Sequence, residues 1–263
     1  MKRQCAFGPR FPGSKGHAEC LAFLYGELSR NADRAVQQAF TGHEPLRRQS
    51  FRMVNVIASF GRQSERLLFC AHWDTRVFAD SDPDPKNRKK AVPGANDGAS
   101  GVAVLLEVAR VLKEHPPGRG VDIVFFDGED NGFEMQFDTW CIGSRYFASR
   151  TRPDYRPRCA VLLDMVGDKD LTLPIENNSQ KYAPQVVEKI WGKARELGLP
   201  GFEQRIGYEV VDDHLELLKV GIPAVDLIDL DYPYWHTVQD TEDKCSPESL
   251  WIVGTLLLNL VYE

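Results

Sequence analysis

Apolar residues recur along this chain in two rhythms, one of period near 3.6 and one of short unbroken runs, and together they predict an ordered series of helices and strands. Cys20, Leu21, Phe23, Leu24 and Leu28 fall at helical spacing between Lys15 and Asn31. Phe51 to Phe60 reads as a strand, and Arg66 to Ala71 as a second, buried one that stops at His72. From Ala99 to Lys113, Val102, Leu105, Leu106, Val108, Ala109 and Leu112 cover most of a helical circumference, the pattern of a buried helix. Pro116-Pro117-Gly118 ends it. Val121–Phe126, Cys159–Asp164 and Ala224–Ile228 are short apolar strands; Ile142–Ser149, Val186–Leu197 and Asp213–Val220 are helical. Ser246 followed by Pro247-Glu248 caps a last helix, whose apolar run from Leu250 to Tyr262 is too short to span a bilayer. Residues 75–96 show neither rhythm and predict a long loop, a length more often functional than idle. Phe7 to Ser14 is a turn-rich entry.

After the first helix the predicted order is β, β, loop, α, β, α, β, α, α, β, α. Short, wholly apolar strands between helices predict an α/β fold: one catalytic domain over residues 1–263, with a mainly parallel twisted central sheet and helices on both faces. Open sheets of this kind bind ligands beyond the carboxyl ends of their strands. His72-Trp73-Asp74, Asp97, Glu129-Asp130, Asp164 and Trp235-His236 all stand where a strand ends or a glycine-rich turn begins, so they are expected to converge on one edge. Carboxylates mixed with imidazole suit Zn²⁺, and Glu129 is left beside a ligand to move protons.

Composition narrows the partners. The 38 acids and 32 bases are interspersed, for a net charge of −6, with no basic groove carrying interleaved aromatics, so nucleic acid is excluded as a partner. The only basic run, Lys86 to Lys90, reads as solvated loop. Six cysteines show no CxxC or finger spacing and fit either buried thiols or one or two bridges. Residues 1–12 lack a signal-peptide apolar stretch, which fits a cytoplasmic chain or a trimmed one. Each chemical group also has a plainer reading: Asp97 and Asp212 as helix caps, Glu129-Asp130 as a solvated turn, Trp140 and Trp235 as core aromatics. His17, His43 and His115 have no partner motif and are expected at the surface.

Joint occurrence in one order changes that balance. His72-x-Asp74, Asn96-Asp97-Gly98-Ala99-Ser100-Gly101, Asp127-Gly128-Glu129-Asp130, Asp164-Met165-Val166-Gly167 and His236-Thr237 resemble the motifs of the zinc aminopeptidase superfamily across nearly the whole chain. A narrower set is similar to the glutaminyl cyclases, of bacterial type: Phe7-Gly8-Pro9-Arg10, Trp140 before Cys141-Ile142-Gly143-Ser144-Arg145, Asp212-Asp213-His214 and Trp235-His236. That resemblance implies a glutaminyl-peptide cyclotransferase, which converts N-terminal glutamine of peptides to pyroglutamate and releases ammonia. It further implies Asp97, Asp130 and His236 as ligands of one zinc per chain, and Glu129 as general acid/base. Asp164 and Asp212 become a carboxylate pair able to share a proton, and Trp235 and Trp140 line the substrate pocket. It implies peptides or proteins with N-terminal Gln as partners, a monomer, and a periplasmic or secreted location. One departure stands out: animal cyclases carry Glu where this chain has Asp130, and Asp ligates on a shorter stem. The rival is a two-zinc aminopeptidase, with His72 and Asp164 completing a second site and Asp97 bridging. A non-catalytic relative would have lost ligands or base, and Asp97, Glu129, Asp130 and His236 are all present.

Overall fold

The computed structural model of the chain describes residues 1–263. A four-residue turn of helix, α1 (Lys2–Cys5), precedes α2 (Lys15–Asn31), which starts where the Ser14 hydroxyl accepts the His17 amide at 3.0 Å. A hairpin follows, β1 (Arg34–Glu44) and β2 (Gln49–Phe60), and then β3 (Arg66–His72). The 26 residues between β3 and α3 (Ala99–Glu114) form no helix or strand. Then come β4 (Gly120–Phe126), α4 (Ile142–Arg150), β5 (Cys159–Asp164), β6 (Leu173–Ile175), α5 (Asn177–Tyr182) and α6 (Pro184–Glu196). The chain finishes with β7 (Phe202–Ile206), α7 (Asp213–Lys219), β8 (Ala224–Ile228) and α8 (Pro247–Tyr262). Ser246 caps α8 on the Ser249 amide, as the sequence predicts.

The central sheet runs β1-β2-β4-β3-β5-β8. β4, β3, β5 and β8 are mutually parallel, and the β1–β2 hairpin adds two antiparallel strands at one side. Strand alternation sorts the apolar residues into two layers. Leu67, Phe69, Ala71, Val121, Ile123, Phe125, Val161, Leu163, Val225 and Leu227 face a core of 40 buried residues shared with α2, α3, α6 and α8. Leu68, Cys70, Val124, Phe126, Ala160, Leu162 and Ala224 face a smaller cluster with Phe147 of α4 and Leu217 of α7. Both faces are thus covered, which is why these strands carry apolar residues at every position.

Register puts the strand ends level. His72 pairs with Phe126, and Asp164 with Ile228, so four parallel strands stop along one edge and hand the chain to the loops that carry the chemistry. The predicted elements are all present. The sequence did not signal β1, the small parallel β6–β7 sheet, or α5. His17 is a correction: it is 5% exposed, stacked on Trp73 at 4.4 Å, with Nε2 3.0 Å from both Asp127 oxygens. His43 and His115 are exposed as expected. All six cysteines are unpaired, which decides between thiols and bridges in favour of thiols.

Candidate active site

Asp97 reaches the edge on the turn before α3. Gly98, at φ 94°, makes that turn; a Cβ there would stand 2.5 Å from the Asp74 carbonyl oxygen. The amides of Asn96 and Asp97 donate to the two Asp240 oxygens at 2.8 and 3.1 Å, so the loop after His236 holds the loop carrying Asp97. Asp97 does not cap α3; that position belongs to Gly98. Asp74 does comparable work for the next pair. Its carboxylate accepts the Glu129 amide at 3.0 Å, the Asp130 amide at 3.4 Å and the Asn131 side-chain amide at 3.1 Å. The acid of the His72-x-Asp74 motif is therefore a backbone clamp.

Asp97, Asp130 and His236 bring one ligand atom each within 4.8 Å of the others. His236 Nε2 lies 2.8 Å from Asp130 Oδ1 and 3.7 Å from Asp97 Oδ2. Burial, aided by the Arg76 charge, lowers the His236 pKa to about 3, so the imidazole is neutral, the form that ligates a metal. Burial and the Asp97 charge push Asp130 well above the usual carboxylate range. Burial works to raise Asp97 too, but the hydrogen bond and charge of His72, with His236 and Arg76, together outweigh it and hold that carboxyl low. Asp97 Oδ2 and Asp130 Oδ2 are buried with no hydrogen-bond partner. Two orphaned carboxylate oxygens beside a neutral imidazole are the donor set a divalent zinc takes, and the residues fit the ion.

A second triple shares Asp97. His72 Nε2 lies 3.1 Å from Asp97 Oδ1 and 3.0 Å from Asp164 Oδ1. Burial disfavours the His72 cation, but Asp164 and then Asp74 and Asp97 more than reverse this and raise its pKa well above 6.5. Asp164 itself rises to about 7, through burial and the nearby Asp212 charge against the pull of His72. The proton-sharing hydrogen bond expected between Asp164 and Asp212 does not form: Asp164 bonds His72 instead, and Asp212 acts on it only as a nearby charge.

Glu129, 7% exposed, is pushed well above the carboxylate range by burial and, next, by Asp212. The Cys141 thiol lies 3.6 Å from Glu129 Oε1, and the Cys141 amide donates to the Glu129 carbonyl at 3.2 Å. Asp212 both caps α7 and faces this group: one oxygen accepts the Asp213 amide at 2.5 Å, and a carboxylate oxygen lies within 4.8 Å of Glu129 and Cys141. The plainer reading and the chemical one coexist in that side chain. Behind it, His214 of the Asp212-Asp213-His214 motif sits between Glu176 (3.2 Å) and Asp226 (3.6 Å), all buried, and the sequence signalled neither of these two partners. Trp235 stacks on His236 with centroids 3.7 Å apart, and Trp140 lies parallel to the same imidazole at 6.1 Å. Arg76, buried beneath Trp140, donates to the Asp130 carbonyl at 2.9 Å.

Asp97, Asp130, His236, Glu129, Asp164, Asp212, Trp140 and Trp235 all line one cavity of about 860 Å³. Met135, Cys141, Met165 and His236, four of the five non-glycine residues with positive φ, belong to this neighbourhood, where backbone strain is held by the surrounding contacts. The residues that the sequence did not single out act through partners brought to them by folding: Arg76 through Asp130, 54 positions away, Asp240 through Asn96, 144 positions away, and Glu176 and Asp226 through His214.

A sheet edge that presents a buried carboxylate–imidazole triple, a protonatable glutamate beside it and an aromatic-walled cavity defines an enzyme of the aminopeptidase-like α/β class. Residues 55–261 match Peptidase family M28. The glutaminyl cyclase of Tannerella forsythia superposes with a TM-score of 0.95 at 40% identity, covering 100% of this chain and 95% of that one. A Zn-dependent exopeptidase from Parabacteroides distasonis superposes equally well, TM-score 0.95 at 36% identity over 100% and 95% of the two chains. Bos taurus glutaminyl-peptide cyclotransferase is 27% identical over 97% of this chain and 78% of its own length. The chain belongs to peptidase family M28, on its glutaminyl-cyclase branch.

Proposed function

We propose that this protein is a zinc-dependent glutaminyl-peptide cyclotransferase, acting on peptides and proteins with N-terminal glutamine. The observation that carries the reading is Glu129: a buried carboxyl with a raised pKa, next in sequence to a ligand candidate, facing Asp212 inside an aromatic-walled cavity. Cyclisation needs a neutral α-amine to attack the γ-amide carbon of its own side chain, and it needs ammonia to leave with a proton. A general acid/base with a raised pKa serves both steps.

One zinc held by Asp97, Asp130 and His236 would polarise the γ-carbonyl. Glu129 takes the proton from the attacking amine and returns one to the departing nitrogen. Burial, with the Asp212 charge next, keeps the Glu129 proton affinity high. Trp235 and Trp140 flank His236 and confine the glutamine side chain, excluding water that would otherwise hydrolyse the amide. Burial, aided by Arg76, keeps His236 neutral, and Arg76 also fixes the Asp130 carbonyl.

His72 and Asp164 share Asp97 in the geometry a second metal would use, so the two-zinc aminopeptidase is the reading to test against. Zinc per chain by elemental analysis, with ammonia release from Gln-peptides set against Leu-anilide hydrolysis, separates them. One zinc with ammonia release is expected; two zincs with anilide hydrolysis would overturn the proposal. A monomer and a periplasmic or secreted location complete the proposal, checked by sedimentation and by cell fractionation.

A further inference from the structure

The mouth of the cavity carries a feature that the chemistry at its floor does not use. Residues 131–140 leave β4 and form a loop closed on itself. The Phe133 amide donates to Thr139 Oγ1 at 2.8 Å, the Gln136 amide to the Phe133 carbonyl at 3.1 Å, and Trp140 Nε1 to that same carbonyl at 2.9 Å. Arg145 Nη1 ties the Asp138 carbonyl at 2.5 Å. The backbone is therefore fixed, and fixed by the same Trp140 that walls the inner site. On it, Met135 is 84% exposed and Phe137 57% exposed, and both line the cavity. Met135 stands at φ 61°, a conformation that a glycine or asparagine would adopt at less cost. Tyr182, at the end of α5, is 56% exposed and lines the same opening, as does Val210 ahead of α7. Large apolar side chains displayed on a rigid lip mark a binding surface rather than a packing one.

The occupant follows from the direction of the substrate. With the N-terminal glutamine at the zinc-ligand end, the rest of the peptide has to leave through this mouth. We infer that Met135, Phe137 and Tyr182 form a subsite for the residue after the glutamine, and that the enzyme selects peptides with a large apolar or aromatic second residue. This rests on the cyclase reading and adds a substrate class to it. Half-burial of a phenyl ring between such side chains corresponds to roughly a tenfold gain in kcat/KM over glycine at that position.

The test compares ammonia release from Gln-Phe and Gln-Gly peptides that are otherwise identical, using the zinc-loaded enzyme and its Met135→Ser/Phe137→Ser double variant. Both side chains are exposed, so the variant is expected to fold. The wild type should favour Gln-Phe about tenfold. In the double variant that ratio should collapse toward one, through a raised KM for Gln-Phe, and Phe137→Leu should keep most of it. A ratio near one in the wild type, or an equal loss on both peptides in the variant, overturns the subsite alone. No ammonia from any Gln-peptide overturns the cyclase reading and the subsite with it. If the lip instead covers a second copy of this chain, the variant changes sedimentation and leaves the peptide ratio intact, and the proposal falls.

Discussion

Glu129 differs from the other buried carboxylates of the site in its neighbours: a thiol 3.6 Å away and the Asp212 carboxyl, with no direct ion pair. Its value is in exchanging a proton. Glu129→Gln keeps the shape and loses the exchange, so kcat should fall by about 10²–10⁴-fold while zinc content, by elemental analysis, stays the same. Near-normal turnover in that variant would remove Glu129 from proton transfer. Asp212 has two duties that one substitution can separate. Asparagine caps helices about as well as aspartate, so Asp212→Asn should leave the melting temperature nearly unchanged. If Asp212 also sustains the Glu129 proton affinity, kcat of that variant drops at least tenfold. An unchanged kcat would leave it a cap and nothing more.

Among the elements, α5 shows how a segment with almost no apolar content is held. Its sequence, Asn-Asn-Ser-Gln-Lys-Tyr, offers no periodicity; Glu176 makes it, accepting the Asn178 and Ser179 amides at 2.8 and 2.6 Å. The same carboxylate accepts the Val210 amide at 3.0 Å and lies 3.2 Å from His214 Nε2, joining α5 to the entry of α7. Burial raises its pKa, but His214 and the amides outweigh that and lower it from 4.5 to about 2. A carboxylate depressed on folding adds stability that is present above its unfolded pKa and lost as pH falls through the folded one. Glu176→Gln should therefore cost about 3 kcal/mol at pH 7, and the difference from wild type should shrink between about pH 4.5 and pH 2. Urea denaturation across that range reads it. A pH-independent difference would assign the loss to shape alone.

The same contrast explains what the sequence could reveal. The parallel strands and α3 were legible because burial on both faces writes unbroken apolar runs. β1 was not: it is an edge strand with outer positions such as Gln37 and Thr41 exposed, so its apolar signal is diluted. Asp97, Glu129, Asp130, Asp164, Trp235 and His236 were legible because strand ends and glycine turns announce them locally, whereas Trp140 and Asp212 came only with the resemblance. His17, Asp240 and Asp226 were not, because what gives each its role is a partner reached only by folding: Asp127, 110 residues on, for the first, and the Asn96 amide, 144 residues back, for the second.

At the scale of the whole molecule, the site is where several separate stretches of chain cross, so its charge balance bears on stability. Asp97 and Asp130 converge with orphaned oxygens, and a bound cation would offset their repulsion. Anything that binds only the folded state stabilises it by mass action. Removing metal with a strong chelator should lower the melting temperature by several degrees, about 2–4 °C for each kcal/mol in a chain of this size. Added zinc should restore the transition and the ammonia release together. A melting curve indifferent to chelation would argue against the three-ligand centre.

The six unpaired thiols carry one more consequence. Five are buried, and burial raises the pKa of each, so thiolate is scarce where reagent could not reach it anyway; only Cys5 is partly open to solvent. The folded protein is thus close to silent toward alkylating agents, and the unfolded chain offers six reactive sulfurs. Labelling kinetics under native conditions then count global opening events directly, giving a clock for how often the protein comes apart, with no probe added to the sequence.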